Sequence, residues 1–191
     1  ILAVTRQHKL VDLEIEQQIN TEIVGCIYKG VVKNIVPAVD GIFVDIGIGK
    51  NAFLRRKDLL NEKRFPTEGS PILAQVIKSD TDMKGALITE KISMFGKYAV
   101  TLSGTGYIGV SKKIRQESVR KRLKEIGKEI CAEHMGLIIR TAAENADMDE
   151  FRKDITRLKE NWDIIQKRFR MEKSPTLLYR ESDIIVKALR D

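Results

Sequence analysis

Cysteine is nearly absent from this chain of 191 residues: Cys26 and Cys131 stand far apart and form no CxxC. A reduced, cytoplasmic setting fits this better than a disulfide framework does. Histidine is as scarce. His8 and His134 have no cysteine nearby, so no zinc-ligand spacing exists. No apolar run approaches the roughly 20 residues that span a bilayer, which speaks against stable membrane insertion. No signal peptide is legible. Converging carboxylates are missing too. Asp80 and Asp82 fall in a turn, while Asp147, Asp149 and Glu150 fall at a helix start, where acids complement the helix dipole. There is no Ser/His/Asp or Cys/His set and no phosphate-cradling glycine motif. These gaps leave no hydrolytic site, no metal site and no small-molecule substrate to assign. The first residue is Ile1 rather than Met, and ILAV reads as a strand already under way. The last helical pattern runs out at Asp191. Both ends are therefore expected to be cut.

What is abundant is positive charge, 34 Lys and Arg against 27 acids, a net +7. A basic protein of ordinary globular composition favours a polyanionic partner. Nucleic acid is the usual one and an anionic membrane surface the other, while scattered solvated lysines would give the same balance. A basic peripheral membrane protein would need an amphipathic helix with exposed apolar bulk, and only 116–126 comes near it.

Residues 27–93 read as a compact β-domain. In 41–49 the apolar residues Ile42, Val44, Ile46 and Ile48 alternate with Phe43, Asp45, Gly47 and Gly49, the period of a half-buried strand. Strands are predicted near 27–36, 41–48, 50–55, 72–79 and 85–92. Asp40-Gly41 and Gly49-Lys50-Asn51 form the first two turns, and Pro66, Gly69, Ser70 and Pro71 mark the next connection. Five short strands in this span predict a small Greek-key barrel of the OB type. Before it, ILAV and KLVDLEIE read as two strands.

After the barrel, 94–111 reads as a hairpin around Ser-Gly-Thr-Gly. A basic helix follows, with Val119, Leu123 and Ile126 at helical spacing and Gly127 as its terminator. Within 112–128, eight basic residues face two acids. MGLIIRT at 135–141 reads as a buried strand ending in Arg140-Thr141. Asp147 and Glu150 have capping-box spacing. Met148, Phe151, Ile155, Leu158, Trp162, Ile165 and Phe169 predict an amphipathic helix to about 171, its stripe packed in the core. TLLYRE reads as a strand and SDIIVKALRD as the start of a last helix.

On the barrel, Phe43 points to the wet face, where a base can stack. With Phe53, Lys29, Lys33, Lys50 and Lys84 it would make an aromatic platform in a basic groove, although Phe53 between Ala52 and Leu54 also fits core packing. Arg140 carries a planar fork that matches two phosphate oxygens, and Thr141 adds a hydroxyl. An ion pair with Glu144 is the plainer reading of Arg140.

The segments LVDLEIE, IYKGVVKNIVPAVDGIFVDIGIGKNAFL, KGALIT, GYIGVSKKI, MGLIIRTAAENA and LLYRESDIIVKALRD, in this order, resemble the N-terminal part of the ribonuclease E/G family of bacterial endoribonucleases. An S1-type barrel alone would account only for about 27–93.

The resemblance implies an α+β protein. An S1-type OB-fold barrel (27–93) and an α/β sensor of the RNA 5′-monophosphate (94–172) would be inserted into a partial RNase H-like subdomain (1–26 and 173–191). It implies RNA contacts at Phe43, Phe53, Lys84, Lys112 and Lys113. It implies a phosphate grip at Arg140 and Thr141, shaped by Gly96 and Val100. Where Lys112-Lys113 stand, the family more often has arginine; lysine keeps the charge and loses the bidentate fork. Single-stranded RNA would be the partner. The full-length enzyme would act in rRNA processing or mRNA decay as a homo-oligomer, with catalytic magnesium and structural zinc. The catalytic aspartates and the zinc-binding cysteine pair would lie downstream of Asp191, so this part itself would hold no cofactor. The alternative is a non-enzymatic S1-type RNA-binding protein of ribosome assembly or translation. Paired aspartates and a CxxC-like pair in the gene beyond Asp191 would decide for the nuclease; a stop codon there would decide against it.

Overall fold

The computed structural model of the chain describes residues 2–6, 9–14, 23–131 and 135–180. It opens with an antiparallel pair, β1 (Leu2–Arg6) and β2 (Lys9–Glu14). Five strands then close into a barrel: β3 (Ile27–Val36), β4 (Gly41–Asp45), β5 (Ala52–Arg55), β6 (Pro71–Lys78) and β7 (Leu87–Thr89). Their order is β3-β4-β5-β7-β6, with β3 pairing back onto β6. The β5–β7 contact is parallel and the others are antiparallel. This is the OB-type closure predicted from the spacing. The second strand stops earlier than its apolar pattern. Gly47 and Gly49 take positive φ, and Asp45 Oδ1 accepts the Gly47 N–H at 2.9 Å, which turns the chain out of the sheet. Val32, Ile42, Val44, Ala52, Leu54, Ala74, Val76 and Ile88 fill the interior.

The rest forms a second sheet covered on one face by two helices. Its strands are β8 (Ser93–Phe95), β9 (Ala99–Ser103), β10 (Ile108–Val110) and β11 (Met135–Ile139). The helices are α1 (Glu117–Ile130) and α2 (Met148–Met171). The sheet order is β10-β11-β9-β8. The hairpin predicted over 94–111 is therefore not formed by β9 and β10. β11 lies between them, parallel to β10 and antiparallel to β9. The apolar Met135–Ile139 run claims the central, most buried place, and the actual hairpin is β8–β9.

Gly127 does not end α1. It is buried inside the helix, where a Cβ would come within 3.1 Å of Leu137 and 3.4 Å of Ile108. The glycine lets the helix lie close on the sheet. On α2, Asp147 caps the first turn by accepting the N–H groups of Asp149 and Glu150. Glu150 does not return the bond as a capping box would; its carboxylate accepts the Tyr98 hydroxyl at 2.6 Å. Trp162 is half-buried and packs against the core, as do Phe151, Ile155, Leu158 and Ile165 from full burial.

Strand β12 (Thr176–Tyr179) pairs antiparallel with the start of β3. That half of β3 already pairs with β6 on one edge, so β12 takes the other, beyond the end of β4. Alternation along β3 then divides the two cores. Tyr28 points into the barrel, while Ile27 joins Leu178, Phe151 and Leu158 in the second core. The last helix predicted from SDIIVKALRD lies outside the described residues, as do His8 and His134.

Candidate nucleic-acid interface

Phe43 and Phe53 are direct cross-strand partners on β4 and β5. Both are half-buried on the outer face of the barrel, with ring centroids 5.4 Å apart and planes tilted by 53°. The core-packing alternative for Phe53 does not hold, because Ala52 and Leu54 point inward and Phe53 points out. Its ring lies over the backbone of Gly41, where a Cβ would meet it at 2.2 Å. This strand pair, with the loops around it, is where OB folds take oligonucleotides.

Lys84 is exposed on the β6–β7 loop. Phe53 N–H donates to Ala86 O at 2.7 Å, and the next residue, Leu87, is the cross-strand partner of Phe53. Lys84 thus stands three residues before the strand position that pairs with Phe53. Lys50 fixes that loop by donating to Thr81 O and Asp82 O, at 2.8 and 2.9 Å. Lys33 is exposed and pairs with Asp45 at 3.4 Å. Lys29 does not belong to the groove. It is buried, and its Nζ donates to Phe169 O and Glu172 O, at 2.6 Å each, over the Phe169 ring. Burial of its stem and the open carbonyls at the end of α2 draw it there.

The second group assembles at one end of the four-stranded sheet. Parallel β10 and β11 bring Ser111 and Arg140 side by side, and antiparallel β9 brings in the 96–98 turn. Arg140 is half-buried; its Nη1 donates to Gly96 O at 2.9 Å and its backbone N–H to Tyr98 O at 2.8 Å. Thr141 is exposed, its hydroxyl 3.0 Å from the Ser111 hydroxyl. Lys112 and Lys113 project into solvent from the following turn. Val100 is half-buried on β9, between its partners Phe95 and Ile138. Gly96, Val100, Lys112, Lys113, Arg140 and Thr141 therefore share one neighbourhood.

Two residues that hold this neighbourhood escaped the sequence reading. Asp154 of α2 is buried and accepts the N–H groups of Lys97 and Tyr98, at 3.3 and 2.9 Å, and Arg157 Nη2 at 2.9 Å. Its carboxylate occupies the space a Cβ at position 96 would need, at 2.3 Å, so glycine is required there. An acid between Phe151 and Ile155 on an apolar stripe was the available signal. Arg120, counted above among the helix cations, turns inward and donates to Ser111 O and Ile114 O, at 2.7 and 2.9 Å. It holds the turn that carries Lys112 and Lys113. Among the described residues, no three His, Cys, Asp or Glu side chains gather as metal donors would. No helix among them is long and apolar enough to cross a membrane.

A closed OB barrel with an outward aromatic pair defines an S1-type RNA-binding domain, and the S1 RNA binding domain model matches residues 22–89. The Ribonuclease E/G family model matches residues 93–191, and the chain belongs to that family. It is 35% identical to ribonuclease G of Escherichia coli strain K12 over 199 aligned positions, covering 95% of this chain and 41% of that protein. Ribonuclease G of Haemophilus influenzae is 33% identical over 207 positions, covering 100% of this chain and 42% of that protein. Ribonuclease E of Synechocystis is 35% identical over 178 positions, covering 88% of this chain and 26% of that protein. The chain thus spans about two fifths of the ribonuclease G relatives.

Proposed function

We propose that this chain is the RNA-binding, 5′-end-reading part of an endoribonuclease that cleaves single-stranded RNA in rRNA processing or mRNA decay. One observation carries the reading: an S1-type barrel with Phe43 and Phe53 on its face shares a chain with a sheet end where Arg140, Thr141 and Ser111 converge. Phe43 and Phe53 stack bases and Lys84 meets the adjacent phosphate. A guanidinium and a hydroxyl at Arg140-Thr141 suit the oxygens of a terminal monophosphate. Gly96 lends its carbonyl to orient the arginine, Val100 borders the pocket, and Lys112 and Lys113 attract the following backbone.

On this reading 27–93 is the RNA clamp and 94–172 the sensor. Residues 1–26 and 173–191 contribute to an RNase H-like subdomain tied to the barrel through β12. The longer protein is cytoplasmic, homo-oligomeric and metal-dependent, using magnesium for cleavage and zinc for assembly.

The test compares oligomers of one sequence bearing a 5′-monophosphate, triphosphate or hydroxyl. The monophosphate should bind best, and Arg140→Ala should erase the preference while leaving hydroxyl-ended RNA unaffected. Equal affinities for all three ends in the unaltered protein would count against the sensor. Phe43→Ala with Phe53→Ala should lower affinity for every end alike, by about 5-fold or more.

A further inference from the structure

We propose a second single-stranded RNA track, running over the open face of the four-stranded sheet and around its β10 edge. It rests on the RNA-binding reading above and shares Val100 and Lys112 with it, but adds Phe95, Tyr107, Ile138 and the lysines of α1, which that reading leaves idle. The helices cover one face of the sheet: Leu137, Ile139 and Ala99 pack against Leu123, Ile126 and Phe151. The opposite face is open. Phe95, Val100, Ile138 and Gly109 are successive cross-strand partners and so form one row across all four strands. Phe95 is 46% and Ile138 40% exposed. At the end of the row the Tyr107 ring rests against Gly109, so close that a Cβ there would stand 2.8 Å from Cε1. Tyr107 is itself 62% exposed. An aromatic held against a glycine, with its far side in water, is a stacking platform. A four-stranded sheet with aromatics on its open face is a recurrent way of stacking unpaired bases.

The edge supplies the charge. Tyr107, Gly109, Lys112, Lys121 and Lys124 border one pocket beside β10, the outermost strand of its sheet. Lys121, Lys124 and Lys128 recur at helical spacing along the exposed side of α1. No hydrogen bond or ion pair engages their ammonium groups among the described residues, whereas Arg120 beside them is fully used in holding the 111–114 turn. Tyr107 lies four residues before Ser111 along extended chain, about 13 Å, so the platform is continuous with the Arg140 end. An anionic membrane would be drawn to the same lysines. The aromatic platform and the continuity with the Arg140 end favour single-stranded RNA.

The test uses 5′-hydroxyl oligouridylate, which does not need a terminal-phosphate site, in a Phe43→Ala/Phe53→Ala background that removes the barrel platform. Residual binding should remain, and Tyr107→Ala should weaken it about 5- to 100-fold, with Tyr107→Phe restoring it. Lys121→Gln with Lys124→Gln should flatten the slope of log affinity against log salt by about 1.4, two phosphate contacts on a single strand. A 4-thiouridine oligomer should crosslink to the peptide containing Tyr107. If the background variant binds no RNA, this track is overturned and the barrel reading stands. If the background variant binds as tightly as the unaltered chain, the barrel reading fails, and loss on Tyr107→Ala still supports the track. Unchanged residual affinity and salt slope in natively melting Tyr107 and lysine variants would overturn it. So would binding to phosphatidylglycerol vesicles that RNA does not displace.

Discussion

The barrel and the second sheet present their outward residues by different physical means. On the barrel, register does nearly everything. Phe43 and Phe53 face outward because their neighbours face inward, and a directly opposed strand pair sets the rings 5.4 Å apart. At the Arg140 end, no single strand determines the arrangement. Three segments meet there, and a buried carboxylate from α2 and a guanidinium from α1 hold them. The first arrangement depends on local alternation, the second on a polar network whose members are far apart in sequence. The barrel face should tolerate single substitutions that the Arg140 end does not.

The largest effect should come from Asp154→Ala. It leaves the Lys97 and Tyr98 N–H groups and Arg157 without their acceptor and frees the volume that forces glycine at 96. Stranding the buried Tyr98 N–H and the two partly exposed donors beside it costs about 3 kcal/mol in all. Urea unfolding should show that loss, and any preference for a 5′-monophosphate should vanish. Affinity of hydroxyl-ended RNA for the barrel should hold. An equal loss of both kinds of binding would show that the two regions do not behave as separate devices.

The same contrast explains what was legible in the sequence. Short apolar runs between turn signals located all five barrel strands, and period-two alternation in 41–49 made Phe43 readable as an outward residue from its neighbours alone. The 3.6-residue stripe located α2 to its last residue. What failed was whatever depends on partners distant in the chain. β10 and the preceding strand read as a hairpin because sequence shows adjacency, not the insertion of Met135–Ile139 between them. Gly127 read as a stop because a glycine that relieves helix–sheet crowding looks the same as one that ends a helix. Lys29 read as a groove lysine because nothing local shows that the carbonyls ending α2 lie over it. At the candidate site, local pattern offered Arg140 and Thr141 only beside a plainer ion-pair reading, and family resemblance alone singled out Gly96 and Val100. Asp154, which positions them, was missed.

A middle-sized effect belongs to Lys29, which stands on a barrel strand yet serves the other unit. Lys29→Met keeps the buried stem and removes one ammonium, with its two hydrogen bonds to the carbonyls at the end of α2. The expected loss is about 1.5 kcal/mol, with faster amide exchange confined to residues near 166–172. RNA affinity should stay the same, because the ammonium faces α2 rather than the aromatic pair. A fall in RNA affinity without a fall in stability would return Lys29 to the groove.

The smallest effect should arise where the two regions join. Glu90 lies between β7 and β8, and its Oε2 accepts the Leu60 N–H at 2.9 Å. Burial pushes its carboxyl above the ordinary range, against the opposing pull of that hydrogen bond. A carboxyl with a raised folded-state pKa binds its proton more tightly in the fold than in the unfolded chain. Its cost is absent in acid, grows as pH rises from the unfolded value of 4.5 to the folded one, and is complete above that. Glu90→Gln keeps an acceptor for Leu60 and removes the titration. The variant should melt on the order of 1 °C higher at pH 7 and no higher at pH 3. An equal gain at both values would assign the effect to packing at the joint rather than to charge.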